Sequence, residues 1–204
     1  MQHNDDICQY SSVILTISAG PGGLRSASWV RTLMRMYLRS AEHLGLKCEI
    51  LGISYVDVQN SDEYVNLASI LFEGDGAHDL YSPEAGIHCL KSNLVSPSGL
   101  VATSNQQSSL ATVRILGVND NVILRNHDNV TLDSFEKNNQ FISNDCTTPD
   151  EYRRTYMMSP IYLVIDHVTN HQETYVQAVL DGGLKPFMDA YKKMLSSGEK
   201  PTHH

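Results

Sequence analysis

The sequence predicts an α+β fold, in which a compact mixed sheet carries one long amphipathic helix and a second helix near the C-terminus. Short apolar runs bounded by turn residues recur along the chain and predict strands. One longer stretch repeats its apolar residues at helical spacing. Hydrophobic residues make up 41% and charged residues 19% of the 204 residues, a balance typical of a folded globule.

Helical periodicity is strongest between Ala27 and His43, which we predict to form the long helix. A strand at 12–18 and a glycine-rich turn precede it, and Gly45 is expected to end it as a C′ glycine. The residues expected to face the core recur at i+3 and i+4: Val30, Leu33, Met34, Tyr37, Leu38, Ala41 and Leu44.

The remaining chain predicts mostly strands. The polar stretch 92–109 is expected to be a loop, and residues 119–121 a hairpin turn. A short helical turn is predicted at 175–180 and a last helix at 185–195, with Pro186 in its first turn. Strands are predicted at 47–54, 65–72, 86–91, 110–118, 122–125 and 160–168.

The long helix carries a row of basic residues in an otherwise acidic protein. The formal net charge is −8, which argues against indiscriminate electrostatic binding to nucleic acids. Arg31, Arg35 and Arg39 nevertheless follow each other at four-residue steps and therefore share one helix face. Arg25 lies just upstream.

Two interpretations of this row stay open. It is either a solvated helix face, with Arg39 paired to Glu42 or Glu49, or a surface that contacts RNA phosphates. Arginine suits the second role because its guanidinium binds phosphate through two hydrogen bonds and stacks on unpaired bases. Lys91 is a weaker candidate for the same surface.

Three segments carry recognisable motifs. Residues 19–42 contain an Ala-Gly-x-Gly-Gly turn followed by Trp29 and RMYLRSAE, residues 86–90 read GIHCL, and residues 177–184 read QAVLDGGL. In this order they resemble the class-I peptide release factor family, of the release-factor-2 type. The resemblance covers most of the chain.

The resemblance implies a single unit similar to the superdomain that release factors build from their second and fourth domains. Residues 13–125 would form the domain-2-like part and 151–196 the domain-4-like part, followed by a tail at 197–204. The segment 126–150 would replace the catalytic domain.

The residues that perform release-factor chemistry are not found in the sequence. Release factors hydrolyse peptidyl-tRNA with a Gly-Gly-Gln loop, whereas the aligned site reads Asn138-Asn139-Gln140, which we interpret as a polar loop. We therefore expect a protein that is not an enzyme. We also expect no cofactor and no metal, because no cysteine or carboxylate pattern joins His167 and His171.

Stop-codon reading is expected to be lost as well. The family reads the codon with a Ser-Pro-Phe tripeptide, and the aligned residues are Leu94, Val95 and Ser96. The family's base-stacking histidine aligns with Ala102, whose methyl group can neither stack on a base nor hydrogen-bond to it.

The four cysteines have no CxxC spacing, and two interpretations remain. They are either ordinary thiols in a reducing compartment, or some of them are redox switches. Cys48 is a candidate because the charge of Lys47 would favour its thiolate, and Cys146 is a candidate because it lies in a polar loop.

The resemblance is strongest to plastid members of the family that lack the stop-reading and Gly-Gly-Gln elements and are associated with the stability of petB transcripts. It implies a protein of the chloroplast stroma that binds plastid mRNA and protects it from nucleases. The alternative is an adaptor that docks on the ribosome or on a protein, either alone or as a homodimer. No apolar run is long enough to suggest a membrane role.

Overall fold

The computed structural model describes residues 12–58, 63–95, 101–118 and 152–198, and within these ranges eight strands form one sheet. The strand order is β2-β3-β1-β5-β4-β6-β7-β8. Neighbouring strands are antiparallel except for β4 and β6, which are parallel. The strands are β1 (Ser12–Ala19), β2 (Lys47–Tyr55), β3 (Val65–Glu73), β4 (Gly86–Val95), β5 (Val101–Val118), β6 (Tyr152–Met158), β7 (Tyr162–Asp166) and β8 (Gln172–Glu173).

The helices and the sheet together confirm the α+β class. The long helix α1 packs against β1, β3 and β5, and α3 packs against α1. No helix in the described ranges is long and apolar enough to cross a membrane. The helices are α1 (Leu24–Leu44), α2 (Ala77–Tyr81), α3 (Val176–Leu180) and α4 (Lys185–Ser196), and a 3-10 turn, Ser82–Glu84, follows α2.

Helix α1 begins three residues earlier than predicted because the glycine-rich turn is fastened to β5. The Gly20 N–H donates to the Leu110 carbonyl at 2.9 Å, and the Leu110 N–H donates to the Ser26 hydroxyl at 3.1 Å. The Ser26 hydroxyl in turn donates to the Pro21 carbonyl at 2.9 Å. These bonds bring the chain into the helix already at Leu24.

The other end of α1 is as predicted. Gly45 has the left-handed conformation (φ 69°, ψ 22°) that favours glycine, and its N–H donates to the Glu42 carbonyl at 3.2 Å. The Leu46 N–H closes the turn on the Ala41 carbonyl at 2.9 Å.

The buried face of α1 is rotated relative to the prediction. Met34, Leu38 and Leu44 are only partly buried, whereas Trp29 and Met36 are fully buried. The reason is that α1 packs both on the sheet and on the C-terminal segment, which covers a second side of the helix. Val30, Leu33, Tyr37 and Ala41 are buried as predicted.

The expected loop at 92–109 is wrong. The chain continues as β4 to Val95 and resumes as β5 at Val101, and Ser92 pairs with Gln107. The hydrogen bonds that pair β4 with β5 are made by the backbone and need no alternation of apolar and polar side chains. The polar sequence of this two-stranded ribbon therefore does not indicate a strand.

Other sequence predictions fall differently. The strand β6 was not predicted, and β7 is shorter than the predicted strand at 160–168. The helices at 175–180 and 185–195 are confirmed as α3 and α4. The turn at 119–121, the strand at 122–125, the segment 126–150 and Asn138-Asn139-Gln140 lie outside the described residues.

The turn after α3 lies directly on the backbone of α1. Gly182 has φ 99°, and a Cβ atom there would be 2.6 Å from the Ser40 nitrogen and 2.8 Å from the Arg39 carbonyl carbon. Only glycine permits this approach. The motif at 177–184 therefore fixes the C-terminal segment to the long helix.

Gly182→Ala should lower the free energy of unfolding by clearly more than Gly45→Ala. Both glycines have positive φ, but a Cβ at Gly45 would meet no heavy atom within 4 Å, so that variant carries only the conformational cost of about 1–2 kcal/mol. Urea unfolding of the two variants measures the difference. Equal losses would show that the close approach to α1 contributes nothing.

Candidate nucleic-acid interface

A buried ionic network lies beneath α1. Arg154 is fully buried and binds both oxygens of Glu84, with Nη2 2.7 Å from Oε1 and Nη1 2.8 Å from Oε2. Its Nη2 also donates to Asp166 Oδ2 at 3.2 Å, and its guanidinium lies 4.1 Å from the centre of the Phe187 ring. The charge is thus compensated on two sides and covered by an aromatic ring.

The network reaches α1 through two of its buried aromatic residues. The Tyr37 hydroxyl donates to Glu84 Oε2 at 3.0 Å, and the Trp29 indole N–H donates to the His88 carbonyl at 3.0 Å. His88 Nδ1 lies 3.2 Å from the Tyr156 hydroxyl, and the Tyr156 ring meets Trp29 edge to face at 4.9 Å. Polar contacts therefore fix the inner face of α1 to β4 and β6.

Asp166 joins the network to the turn after β7. Its Oδ1 accepts hydrogen bonds from the backbone N–H groups of Val168, at 3.2 Å, and Thr169, at 3.0 Å. Arg153 Nη2 lies 2.9 Å from Oδ2, an ion pair that lacks hydrogen-bond alignment. Asp166 thus balances Arg154 and Arg153 while holding the turn.

The network sets the charges of its members. Burial alone would raise the pKa of Glu84, but the charge and hydrogen bonds of Arg154 lower it to about 2. Burial, followed by the charge of Arg154, lowers the pKa of His88 to about 4. Glu84 is therefore ionised and His88 neutral at physiological pH. Because Arg154, Glu84, His88 and Asp166 are at most 1% exposed, the network is structural.

The outer side of α1 presents exposed positive charge. Arg25, Arg31 and Arg35 are exposed, and none of them makes an ion pair within the described part of the chain. We call Arg31 and Arg35, together with Arg25 in the first turn of the helix, the arginine row. The helical rise places Arg31 and Arg35 about 6 Å apart along the axis. Glu42 is an exposed carboxylate nearer the C-terminal end of the helix.

Arg39 continues the spacing of the row but is not free. Its Nη1 forms an ion pair with Asp181 Oδ1, and the expected pairing with Glu42 or Glu49 is wrong. The pair joins residues 142 positions apart, because the turn at Gly182 places Asp181 beside the helix.

Lys91 lies apart from the arginine row. It alternates along β4 with Leu90, which packs on the core cluster that includes α1. Successive side chains of a strand point to opposite faces of the sheet, so Lys91 belongs to the face away from α1. Its cross-strand partner is Ser108.

Of the two redox candidates, Cys48 lies within the described residues. Cys48 is exposed on the edge strand β2, but partial burial and the carboxylate of Glu42 raise the pKa of its thiol. This opposes the expected effect of Lys47, because burial disfavours the thiolate and the Glu42 charge adds to that effect. Cys146 lies outside the described residues.

His167 and His171, the two histidines considered for a metal site, each contact a neighbouring side chain. His167 Nε2 lies 2.8 Å from the Thr155 hydroxyl, and His171 Nε2 lies 3.0 Å from Glu173 Oε1. In the ranges that the structure covers, no three histidine, cysteine or acidic residues form a group that could hold a metal ion.

The sequence missed the buried network because its charged members come from separate segments. Glu84 follows a short helix, and Arg154 lies 70 positions later in a strand that was not predicted.

Glu84→Gln should lower the free energy of unfolding by about 3–5 kcal/mol, because it leaves the buried Arg154 short of negative charge. Glu173→Gln, which breaks the partly exposed contact with His171, should cost no more than about 1 kcal/mol. Urea unfolding at neutral pH measures both. A loss at Glu84 as small as that at Glu173 would contradict the structural role of the network.

Stability should fall as the pH is lowered from 6.5 to 5. The folded-state pKa of His88, about 4, lies below its ordinary value of 6.5, so the unfolded state binds more protons in this window. For each proton that the unfolded state binds and the folded state does not, the free energy of unfolding changes by about 1.4 kcal/mol per pH unit. His88→Gln should flatten the slope in denaturant titrations, and an unchanged slope would assign it to other groups.

Comparisons with known proteins agree with the motifs. The PCRF domain family matches residues 3–98. The chain is 35% identical over 105 residues to peptide chain release factor RF2 of Thermus thermophilus, covering 52% of this chain and 26% of that protein. It is 30% identical over 149 residues to peptide chain release factor 2 of Rickettsia felis, covering 72% of this chain and 38% of that protein. The chain thus spans less than half the length of these two curated relatives.

The solved structure of RF2 of Thermus thermophilus has the same fold, with a TM-score of 0.65 and 20% sequence identity, over 94% of this chain and 70% of that one. By the match of residues 3–98 to the PCRF domain family and by its curated homologues, the chain is related to the class-I peptide chain release factors, of the release-factor-2 type.

Proposed function

We propose that the chain is a non-catalytic release-factor-like protein that binds RNA through the arginine row and protects a transcript from nucleases. The observation that carries this proposal is the exposure of Arg25, Arg31 and Arg35, without an ion-pair partner in the described ranges, on a helix whose inner face is fixed. Such guanidinium groups suit the phosphates of an RNA backbone.

The buried network supports this role by holding the helix in place. Tyr37 and Trp29 hold the inner face of α1 in place through hydrogen bonds. Binding of RNA to the outer face therefore carries no entropic cost of ordering the helix. Because the net charge of the protein is −8, the protein as a whole does not attract RNA, and the attraction is confined to this face of the helix.

The sequence supports a role without peptidyl-tRNA hydrolysis. No Gly-Gly-Gln triplet occurs in the 204 residues, and the family's stop-reading tripeptide aligns with Leu94, Val95 and Ser96. The resemblance to plastid members of the family supports a petB-type transcript as the target and the chloroplast stroma as the location.

Arg31→Gln/Arg35→Gln should weaken binding to RNA. The logarithm of the association constant falls with the logarithm of the salt concentration, by about 0.7 for each phosphate contact on a single strand, so the slope should shrink by about 1.4. Fluorescence anisotropy with petB segments and unrelated RNA of equal length measures affinity and selectivity.

Lys192→Gln/Lys193→Gln is a matched control for this variant. It removes the same charge from an exposed helix surface on α4. The proposal requires a much smaller effect from this control. Equal weakening by both variants would reduce the interaction to net charge, and no binding by the folded wild type at low salt would overturn the proposal.

The second candidate is an adaptor that docks on the ribosome. Its support is that the curated relatives are peptide chain release factors and that the fold similarity to RF2 extends over 94% of the chain. Co-sedimentation with ribosomes, in the absence of binding to naked RNA, would favour the adaptor. Analytical ultracentrifugation of the free protein tests the homodimer.

A further inference from the structure

We propose that Asp181 competes with RNA phosphate for Arg39. By occupying Arg39, Asp181 limits the affinity of the arginine row for RNA. This inference rests on the proposed function. Arg39 follows Arg35 by four residues, as Arg35 follows Arg31, and would therefore extend the row by one step. The ion pair with Asp181 distinguishes Arg39 from Arg25, Arg31 and Arg35, which make no ion pair within the described ranges.

The ion pair is accessible to a competing anion. The side chains of Arg39 and Asp181 are each 42% exposed. The contact joins one guanidinium nitrogen, Nη1, to one carboxylate oxygen, Oδ1. A phosphate that follows the row from Arg31 and Arg35 can therefore approach Arg39 from solvent.

Asp181 keeps its position without Arg39. Gln177 Nε2 donates to Asp181 Oδ2 at 3.1 Å, and the Asp181 N–H donates to the Gln177 carbonyl at 2.9 Å. The close approach of Gly182 to α1 fixes the same turn through backbone contact. Arg39 can thus exchange its partner while the C-terminal segment stays packed on the helix.

The ion pair is weak enough for a phosphate to compete with Asp181 for Arg39. A half-exposed ion pair is screened by water and salt and contributes little to stability. An arginine can instead form two charge-assisted hydrogen bonds to one phosphate. After exchange, however, the carboxylate of Asp181 remains beside the row and repels the RNA backbone. Asp181 therefore lowers affinity both before and after Arg39 is released.

Asp181→Asn tests the competition in the full chain. The amide keeps the shape of the side chain but removes the charge that holds Arg39. Affinity for single-stranded RNA should rise about two- to fivefold, because the loss of a partly exposed ion pair has an effect of this size. The salt slope should steepen by up to about 0.7, because Arg39 then makes its phosphate contact in every complex and not only in those in which it has left Asp181. In an Arg39→Gln background, the same substitution should add no contact, and the slope should stay constant.

Asp189→Asn is the matched control, because Asp189 also forms an exposed ion pair, with Lys185 at 3.4 Å, but on α4. The inference requires that this control leaves the salt slope unchanged. Thermal unfolding of each variant verifies the fold.

The outcomes separate the inference from the proposed function. If Arg31→Gln/Arg35→Gln abolishes binding while Asp181→Asn leaves affinity and slope unchanged, the competitor role is overturned and the ion pair is purely structural. If Arg31→Gln/Arg35→Gln leaves binding intact, the proposed function itself fails, and the competitor role fails with it.

Discussion

The fold depends on a buried arginine. Arg154 is fully buried, and a guanidinium in the interior is tolerated only when its charge is balanced. Glu84 and Asp166 provide that balance from two distant segments. His88 lies opposite Arg154 where β4 and β6 pair in parallel. The ion pair of Arg154 with Glu84 therefore forms where the two halves of the sheet join. The packing of α1 follows from this point, since Tyr37 bonds to the same Glu84 carboxylate.

Inner and outer faces of α1 consequently have different tasks. The inner face fixes the helix to the network through tyrosine and tryptophan, whereas the outer face keeps Arg25, Arg31 and Arg35 in solvent. Arg39 lies between the two, since it shares the spacing of the row but contacts the C-terminal segment. The position of the segment after α3 therefore determines how many arginines α1 can offer to a phosphate backbone.

Local sequence patterns predicted the local parts of this arrangement. The limits of α1 near Gly45, most of its buried face and the common face of the arginines follow from spacing along one helix. The ion pair of Arg39 could not be predicted, because Asp181 is 142 positions away and reaches the helix through the turn at Gly182. The ribbon of β4 and β5 lacked apolar alternation, so its polar residues indicated a loop.

The RNA-binding surface can be located on the unaltered protein. Ultraviolet cross-linking of the bound complex, followed by mass spectrometry of the digested protein, identifies the contacted peptides without altering any residue. If the arginine row binds RNA, cross-links will concentrate in α1, between Leu24 and Arg39. Cross-links confined to the opposite face of the sheet, around Lys91, would contradict the assignment of the interface to this helix.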